Sequence, residues 1–469
     1  MQQEYPDMRP FWLEQALMGD GDLAPALQGA QRADVCIVGG GFTGLWTAIQ
    51  AKQRNPQLDI VILERDLCGA GASGRNGGCL LTWSAKFLTL RRLFGEAEAL
   101  RLVRASEAAV DAIGDFVREH GIDAEFRRDG TLYTATAAAQ VGTMEPVVQA
   151  LQAHGIDSYH ALAPAEVARR SGSARNIAGW YSPIAATVQP AKLVRGLRRV
   201  ALAMGIRIHE RSPMLRCEAG PPAVVHTPSG SVTAGKLVLA LNAWMAEALP
   251  QFERSIAIVS SDMVITERCP ALLQAAGLAD GVSVLDSRTF VYYYRSTEDG
   301  RLMLGKGGNT FARGGRIAPV FDQPSPYEAQ LTRALRDFFP SLGGVPITAS
   351  WNGPSDRSVS GFPFFGRLNG AQHVFYGFGY SGNGVGPTYM GGQILSSLVL
   401  GEDNAWTRSP LTRGPLGLFP PEPVRYLGSI VVRNAIRRKE AAEDLGRAPW
   451  WVDKQLSRFA NAAGKADKG

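Results

Sequence analysis

Three glycines, Gly39, Gly41 and Gly44, follow the spacing G-x-G-x-x-G, and the carboxylate of Glu64 comes twenty residues after the last of them. In such a pattern the first glycine permits a tight turn, the second lets a pyrophosphate approach the backbone, and the third lets a helix pack closely on a strand. Free N–H groups at the helix start then bind the anion, and the acid accepts hydrogen bonds from a ribose 2′-hydroxyl. The pattern therefore predicts dinucleotide binding. The alternative is a tight strand-to-helix turn that binds nothing.

The residues around these glycines predict the elements that the motif needs. Residues 35–38 are apolar and predict a buried parallel strand, and residues 59–63 predict a second strand that ends at the acid. A helix is predicted over about 43–55, so its first residues lie close to the expected anion. Three residues here join the glycines and the acid as candidates for cofactor binding: Phe42, Thr43 and Arg65.

A second glycine-rich segment, residues 69–79, contains five glycines. Each glycine costs helix or strand stability, so this segment predicts turns, or backbone that is held against a ligand. Arg75 and Asn76 inside it could present donors to a phosphate or to a polar ring edge. The alternative is a flexible surface loop.

A third segment repeats the arrangement of the first. A strand is predicted over 374–378 and a helix over about 387–400, with a glycine loop between them. The helix start again offers backbone N–H groups to an electron-rich partner. The loop contributes seven candidate cofactor residues: Gly379, Tyr380, Ser381, Gly382, Asn383, Gly384 and Val385.

The dinucleotide motif followed by G-A-S-G-R-N-G-G resembles the FAD-dependent oxidoreductases of the D-amino-acid-oxidase superfamily, and similar stretches are spread over residues 33–401. The resemblance implies FAD as the cofactor, with the third loop at the pyrimidine edge of the flavin and a backbone group near Met214 at the adenine. A positive helix dipole at that edge would stabilise an anionic reduced flavin. The resemblance also implies that the second segment wraps the pyrophosphate and the flavin end of FAD through Ser73, Arg75, Asn76, Gly77 and Gly78.

The length of 469 residues exceeds what one hydrophobic core usually serves, so two domains are expected. The predicted fold class is α/β, in an α+β two-domain form. It combines a Rossmann-like FAD-binding domain with a discontinuous substrate domain built mainly on an antiparallel sheet. The predicted segments are an N-terminal arm (1–32), the FAD domain (33–90, 175–250 and 345–420), the substrate domain (91–174 and 251–344) and a basic C-terminal helical tail (424–469).

Composition excludes several classes of protein. Hydrophobic residues make up 45% and charged residues 20%, which excludes disorder as the main state. The net charge is +6, but residues 424–469 hold ten Lys/Arg and five Asp/Glu, so the body is nearly neutral and no nucleic-acid partner is expected. Five cysteines without close metal-ligand spacing predict neither a metal site nor a disulfide framework. They favour a reducing compartment, and with no signal pattern or membrane-length apolar run the predicted location is cytoplasmic.

Two positions bear on the identity of the substrate. Glycine oxidases carry, at the fifth position of a W-x-G window, an arginine that pairs with the substrate carboxylate; here the window starts at Trp351, and that position is Ser355. Arg357 lies two residues on, and the sequence leaves open which way it points. Serine is a poor replacement for a bidentate guanidinium, so oxidation of simple α-amino acids is not favoured. Four other residues are candidates for anion contacts: Arg127, Arg128, Arg313 and Arg316.

The catalytic candidates come from a predicted strand and its neighbours. On that strand Tyr292 and Tyr294 share one face and Tyr293 takes the other, with a core role and a substrate-facing role as the alternatives. Sarcosine oxidases have an oxygen-activating lysine in the pattern L-x-L-G, where this chain has Met303; Lys306, three residues later, is a candidate, and a surface lysine is the alternative. The candidates are Tyr292, Tyr294, Trp351 and Lys306.

The resemblance implies an enzyme that oxidises a small primary or N-methyl amine to an imine, and then an aldehyde, by hydride transfer to flavin N5, with O2 or another electron acceptor. Similarity to γ-glutamylputrescine oxidase and to aminophosphonate oxidoreductases favours a substrate whose acidic group is remote from the nitrogen, such as 2-aminoethylphosphonate. The alternatives are a γ-glutamylputrescine-like polyamine, an amino acid of the glycine or sarcosine type, an NADPH-dependent reductase and a noncatalytic FAD-bearing subunit.

Two further features leave alternatives open. Cys79 adjoins the second glycine-rich segment and is a candidate for covalent flavin attachment, with noncovalent FAD as the alternative. The basic tail predicts a helix over about 424–445 with Leu427 and Val431 on one side. Such a helix either docks on the body of the protein or contacts a membrane surface or a partner.

Overall fold

The computed structural model describes residues 9–20, 22–463, 466 and 467. Strands β1 to β18 span, in order, Gly29–Val38, Ile60–Leu63, Cys79–Leu80, Thr131–Ala135, His160–Leu162, Ala178–Ser182, Ala186–Thr187, Arg207–His209, Arg216–Glu218, Ala223–Thr227, Gly230–Leu239, Ile256–Thr266, Ser283–Asp286, Tyr292–Ser296, Leu302–Phe311, Ile347–Ser358, Phe364–Leu368 and Ala371–Phe378. Helices α1 to α13 span Phe11–Met18, Phe42–Arg54, Phe87–Phe94, Glu96–Glu119, Glu145–Gln152, Pro164–Ser171, Pro190–Ala203, Met245–Ala248, Pro270–Ala275, Glu328–Phe338, Pro387–Leu400, Val424–Asp444 and Trp451–Ser457.

The first sheet has a parallel centre in the order β18-β11-β1-β2-β8, with antiparallel strands at its margins. The last four residues of its middle strand β1, residues 35–38, are buried on both faces. Val35 and Ile37 pack into a cluster formed with α2, α7 and α11, whereas Cys36 and Val38 pack into a second cluster on the opposite face. Burial on both faces is why residues 35–38 form a continuous apolar run in the sequence.

The second sheet has the order β16-β12-β15-β14-β13-β4-β6-β5 and is antiparallel except between β13 and β4. One face packs on α10, where Tyr294 and Leu304 meet Leu335 and Phe338. The other face turns towards the first sheet. A parallel-centred sheet beside a mainly antiparallel one confirms the predicted α/β, two-part fold class.

The pairing and packing of three elements differ from the predicted division of the chain into segments. β16 pairs with β12 from Ile256↔Ser358 to Thr266↔Ile347, so residues 345–358 belong to the second sheet. β6 pairs with β4, which moves residues 178–182 to the same sheet. Conversely, α4 was predicted to belong to the substrate domain, but it packs on α2 and α11, the helices that cover the first sheet. The Phe116 and Trp46 rings lie 4.9 Å apart. These pairings join residues far apart in sequence, and local patterns carry no information about them.

The described part of the predicted N-terminal arm is ordered against the body. α1 buries Trp12 and Leu13 completely, and the Trp12 carbonyl accepts a hydrogen bond of 2.8 Å from the Gln189 side chain. β1 already begins at Gly29, so the arm ends earlier than predicted. Its aromatic residues hold it on the junction of the two sheets, since Trp12 also lies against Trp351 of β16 at 5.5 Å.

Two further findings concern the whole chain. None of the five cysteines forms a disulfide bond in the structure, and all five lie within the described residues. Within the described ranges, no helix combines the length and the apolar character that crossing a membrane requires.

Candidate functional site

A cavity of about 540 Å³ lies between the carboxyl ends of the parallel strands of the first sheet and one face of the second sheet. Gly39, Glu64, Leu241 and Tyr380 line it, and they follow β1, β2, β11 and β18 respectively. The carboxyl ends of parallel strands meet at one edge, which is where open α/β sheets bind ligands. The cavity therefore brings all three predicted glycine segments together.

Most of the predicted cofactor residues line this cavity: Gly39, Gly41, Phe42, Thr43, Glu64, Arg65, Ser73, Arg75, Asn76, Gly77, Met214, Tyr380, Gly382, Gly384 and Val385. Five others lie in the same loops but do not line it: Gly44, Gly78, Gly379, Ser381 and Asn383.

The turn of the first glycine loop is packed too closely to accept a side chain. Gly39 has a φ of +115°, and a Cβ there would overlap the carbonyl oxygen of Ala240. A Cβ at Gly44 would overlap the carbonyl oxygen of Gly39, so α2 starts directly against the loop. A Cβ at Gly41 would enter the cavity lining, 2.9 Å from the Ser73 hydroxyl oxygen. This is the close backbone approach that a pyrophosphate requires.

Glu64 is held in place by backbone amides. One carboxylate oxygen accepts a hydrogen bond from the Gly40 N–H at 2.7 Å, and the other accepts one from the Asp66 N–H at 3.0 Å. Burial raises the pKa of Glu64, while these two donors act in the opposite direction. Each carboxylate oxygen has a second lone pair, so the group can still accept hydrogen bonds from a ribose.

Arg75 and Asn76 use their donors within the protein. The Arg75 guanidinium donates to the Ala70 and Phe321 carbonyls at 2.7 and 2.8 Å and pairs with Asp322 at 2.7 Å. The Asn76 amide donates to the Ala72 and Ser73 carbonyls and accepts from the Gly78 N–H. These side chains shape the second loop, so the sequence-based expectation that they donate to a phosphate or ring does not describe this arrangement.

Ser73 and Tyr380 join the loops to one another. The Ser73 hydroxyl accepts a hydrogen bond of 2.9 Å from the Phe42 N–H at the start of α2. The Tyr380 hydroxyl accepts one of 3.0 Å from the Thr43 hydroxyl. The first loop is thus fastened to the second and to the third.

Asp356 organises the third loop, and sequence patterns do not single it out. Its carboxylate accepts the Gly379 N–H at 2.5 Å, and its carbonyl accepts the Ser381 N–H at 3.2 Å. Ser381 has a φ of +56°, a left-handed conformation that serine rarely adopts, and its hydroxyl accepts the Ser358 N–H at 3.0 Å. Burial raises the pKa of Asp356 to about 6, although backbone donors favour its ionised form.

Tyr292 and Tyr294, the catalytic candidates on β14, lie on the face of the strand that points away from the cavity. The Tyr294 hydroxyl donates to the Ser171 carbonyl at 2.8 Å within the core, and Tyr292 packs on Phe338. Tyr293 lines the cavity instead, and its hydroxyl lies 2.8 Å from the Ser261 hydroxyl. The alternation of the strand was predicted correctly, but the sequence did not show which of its two faces meets the cavity.

Lys306 and Trp351, the other two catalytic candidates, are also outside the cavity lining. The Lys306 ammonium donates to the Phe290 carbonyl at 2.8 Å and lies 4.0 Å from the Tyr292 ring centre. Trp351 is buried, and its indole N–H donates to the Arg75 carbonyl at 2.9 Å. Both side chains support the walls of the site from behind.

Arg357 is the cation that reaches the cavity from the second sheet. Five consecutive residues at the end of β16 line the cavity: Gly353, Pro354, Ser355, Asp356 and Arg357. Burial lowers the pKa of Arg357 to about 10, which leaves the guanidinium charged at neutral pH. The Ser355 hydroxyl oxygen is buried without a hydrogen-bond partner among the described residues.

The four arginines predicted to contact an anion do not line the cavity. Arg127 donates to the Ser296 carbonyl, and Arg128 pairs with Asp111. Arg313 and Arg316 are exposed in the connection after β15. The structure therefore does not bring these four side chains to the cavity, whereas Cys79, the candidate for covalent attachment, does line it.

The arrangement fits a long ligand with an anionic middle and a polar ring. Gly41 and Ser73 leave an open backbone cradle, and Arg65 stacks 4.7 Å over the Trp244 ring in the same lining. The volume lies within the range of cofactor sites. Beside the cradle, Tyr293, Arg357 and Ser355 form a smaller polar wall for a second, charged molecule.

Comparison with known proteins identifies the same fold. The family model described as FAD dependent oxidoreductase (DAO) matches residues 34–398. The chain is 29% identical over 371 residues to gamma-glutamylputrescine oxidoreductase from Escherichia coli K12, covering 79% of this chain and 84% of that protein. It is 30% identical over 404 residues to the probable oxidoreductase OrdL from Rhizobium meliloti, covering 83% and 88%.

Among solved structures, the glycine oxidase from Geobacillus kaustophilus superposes with a TM-score of 0.67 at 22% identity and covers 81% of this chain and 98% of its own. L-Proline dehydrogenase from P. horikoshii superposes with a TM-score of 0.65 at 18% identity, covering 81% and 96%. At these identities the likeness establishes the fold.

Proposed function

Because the chain belongs to the DAO family of FAD-dependent oxidoreductases, we propose that it oxidises a small primary or N-methyl amine carrying an anionic group remote from the nitrogen. Bound FAD supplies the ring that takes a hydride from the α-carbon of the amine, and the resulting imine hydrolyses to an aldehyde. The observation that carries the substrate proposal is the charged Arg357 guanidinium in the cavity wall.

The position of this cation sets the length of the substrate. Arg357 lies two residues beyond Ser355, and two residues span about 6–7 Å along a strand. The glycine-oxidase resemblance puts a carboxylate-binding arginine at the Ser355 position. A cation displaced along the strand fits an anion separated from the nitrogen by more than one carbon. Substrates of the 2-aminoethylphosphonate type meet this requirement, and guanidinium binds phosphonate in a bidentate manner.

The remaining wall orients the amine and keeps it uncharged. Tyr293 retains its proton, because burial raises its pKa more than its contact with Ser261 lowers it. The Tyr293 and Ser261 hydroxyls therefore offer both donors and acceptors. Met263, Leu285 and Val291 supply an apolar lining, which disfavours an ammonium ion and favours the neutral amine that can lose a hydride.

An anaerobic amine panel tests the proposal. The holoenzyme is mixed without oxygen with 2-aminoethylphosphonate, its N-methyl form, γ-glutamylputrescine, glycine and sarcosine, and loss of the visible flavin absorbance is followed. We expect rapid bleaching by one of the first three compounds. Rapid bleaching by glycine would contradict the assignment of the anion site, and coloured protein that no amine bleaches would favour a noncatalytic FAD-bearing subunit.

A γ-glutamylputrescine-like polyamine is the second candidate. It is favoured by the similarity to the Escherichia coli protein over 79% of this chain. Its carboxylate would occupy the same Arg357 site through a longer spacer. Relative bleaching rates of the phosphonate and the polyamine separate the two, and oxygen consumption during turnover decides between O2 and another electron acceptor.

A further inference from the structure

The C-terminal segment 424–469 lies beyond the family match, which ends at residue 398. It nevertheless carries seven of the exposed large apolar side chains of the described residues. They are Val424, Leu427, Val431, Leu445, Trp450, Trp451 and Phe459, each at least half exposed. Exposed aromatic residues in such numbers on a folded segment mark a contact surface.

The opposite side of this segment is firmly docked, so the exposure does not result from a loose tail. Arg433 donates to the Asn309 carbonyl at 2.8 Å, and Arg437 donates to the Asn309 side chain at 3.0 Å. Glu440 accepts the Thr289 N–H at 3.0 Å. The helix that the sequence predicts over this region is therefore fixed on the second sheet by these hydrogen bonds and by the buried Ala435 and Ile436.

Charge is segregated across the segment. All five of its acidic residues bind groups of the protein itself. The pairs are Glu440 with the Thr289 N–H, Glu443 with Lys439, Asp444 with Arg288, Asp453 with Arg438, and Asp467 with the Thr89 N–H. Three exposed cations, Arg447, Lys454 and Arg458, pair with no carboxylate of the described residues. The exposed side chains of the segment are therefore mainly apolar, and its unpaired charges are positive.

The cations and the aromatic residues belong to one unit. The ion pair between Arg438 and Asp453, at 2.6 Å, holds α13 against α12. Trp450, Trp451 and Lys454 then lie on the first turns of α13 and just before it. Tryptophan beside exposed cations is the composition that binds at the interface of an anionic bilayer, where the ring sits at headgroup level and the cation meets phosphate.

We propose that the outward face of α12 and α13 binds the surface of an anionic phospholipid bilayer. The contact is peripheral: the aromatic side chains enter the headgroup region, and the cations meet lipid phosphates. The exposed side chains of this face do not line the cavity.

The test is sedimentation of the FAD-loaded full chain with vesicles of phosphatidylcholine, with and without phosphatidylglycerol. We expect binding only to the phosphatidylglycerol vesicles, weakened by high salt. The triple variant Arg447→Glu, Lys454→Glu, Arg458→Glu should bind more than about ten-fold more weakly, since each cation near an anionic surface contributes a roughly five-fold change in binding. Trp450→Ser with Trp451→Ser should also lose binding, although its charge is unchanged.

Met18→Ser is the matched control, because Met18 is 83% exposed and lies outside the tail. It should bind vesicles like the unaltered protein. All variants should keep their flavin colour, which shows that they are folded. Failure to bind phosphatidylglycerol vesicles at low salt would overturn the proposal. The proposal would also be overturned if light scattering showed that the unaltered protein is a dimer and the tryptophan variant a monomer. The face would then bind a second copy of the chain.

Discussion

Arg357 and Tyr293 are polar residues that the second sheet contributes to the cavity wall, and each is placed there by its position on a strand. Arg357 has Asp356 beside it in sequence, but the Asp356 carboxylate accepts the Gly379 N–H and so belongs to the third loop. Tyr293 has Tyr292 and Tyr294 beside it, and both pack on the other face. On β14 only Tyr293 of the three tyrosines faces the cavity, whereas on β16 Asp356 and Arg357 both line it and have different partners.

At this scale, Arg357→Gln should raise the KM for an anionic amine by about 10- to 100-fold, because a hydrogen bond to a charged group contributes roughly 1.5–3 kcal/mol. The oxidation step does not involve the guanidinium, so kcat should change less. Arg357→Lys should recover only part of the loss, since an ammonium cannot bind in a bidentate manner. Steady-state kinetics with 2-aminoethylphosphonate measure these effects.

Arg316→Gln is the control, because Arg316 is exposed and does not line the cavity. Its KM should equal that of the unaltered enzyme. An unchanged KM in the Arg357 variant would mean that the anion binds elsewhere.

The raised pKa of Asp356 predicts how the stability of the protein changes with pH. Its folded pKa of about 6 is above its ordinary value of 3.8, because burial disfavours the ionised form. The stability that its proton contributes is therefore complete below about pH 4 and is lost as the pH rises through 6. The side chain introduced by Asp356→Asn cannot titrate. In this variant the free energy of unfolding should therefore lose roughly 3 kcal/mol of its change between about pH 4 and pH 6. Urea unfolding of the FAD-free protein from about pH 4 to 7 measures this.

Asp403→Asn provides the comparison, because the Asp403 side chain is 81% exposed. Its stability should follow the unaltered protein at every pH. Parallel curves for the Asp356 variant and the unaltered protein would show that this carboxylate is not proton-linked to folding.

At the scale of elements, α12 holds the connection between β13 and β14 from outside. Asp444 pairs with Arg288, Glu440 accepts the Thr289 N–H, and Lys306 donates to the Phe290 carbonyl. The next residue, Val291, lines the cavity. The helix and Lys306 thus position Val291 in the cavity wall without lining the cavity themselves.

Asp444→Asn should consequently raise KM by about 2- to 5-fold and leave kcat nearly unchanged, in line with the modest energy of a partly exposed ion pair. Adding Glu440→Gln should increase the effect. Glu443→Gln, which breaks only the contact with Lys439 inside α12, is the control and should leave KM unaltered. A fall in kcat with constant KM would place this contact in the chemical step instead.

Strands and helices with a clear local sequence pattern could be predicted, but the strands with which they pair could not. The apolar run 35–38 and the glycine loops located β1, α2 and α11, with α11 spanning Pro387–Leu400 as predicted. β16 was assigned to the wrong part of the fold, because its ladder with β12 joins residues about ninety positions apart. The sequence analysis did not identify Tyr293 as a lining residue for a related reason. A two-residue period shows that a strand has two faces but not which of them is buried. In β14 the packing of Phe338 makes the face with Tyr292 and Tyr294 the buried one.

For the whole molecule, the essential feature is that β1, β2, β11 and β18 run in the same direction. Their carboxyl ends bring Gly39, Glu64, Asn242 and Tyr380 to one edge of the cavity, from parts of the chain that are far apart. The second sheet closes this edge with the Tyr293 face. FAD binding should therefore stabilise both sheets together rather than one loop.

Gly41→Val tests that coupling. Gly41 has a φ of −85°, which a valine can adopt, so the variant should fold; its side chain would enter the cradle beside Ser73 and exclude the pyrophosphate. We expect a colourless protein whose melting temperature no longer responds to added FAD. The unaltered protein should gain about 2.7 kcal/mol at an FAD concentration one hundred times its Kd. Gly428→Ala is the control, because no atom lies within 4 Å of its added Cβ and alanine favours the helix. If Gly41→Val were yellow and stabilised by FAD, the dinucleotide would not cross this loop.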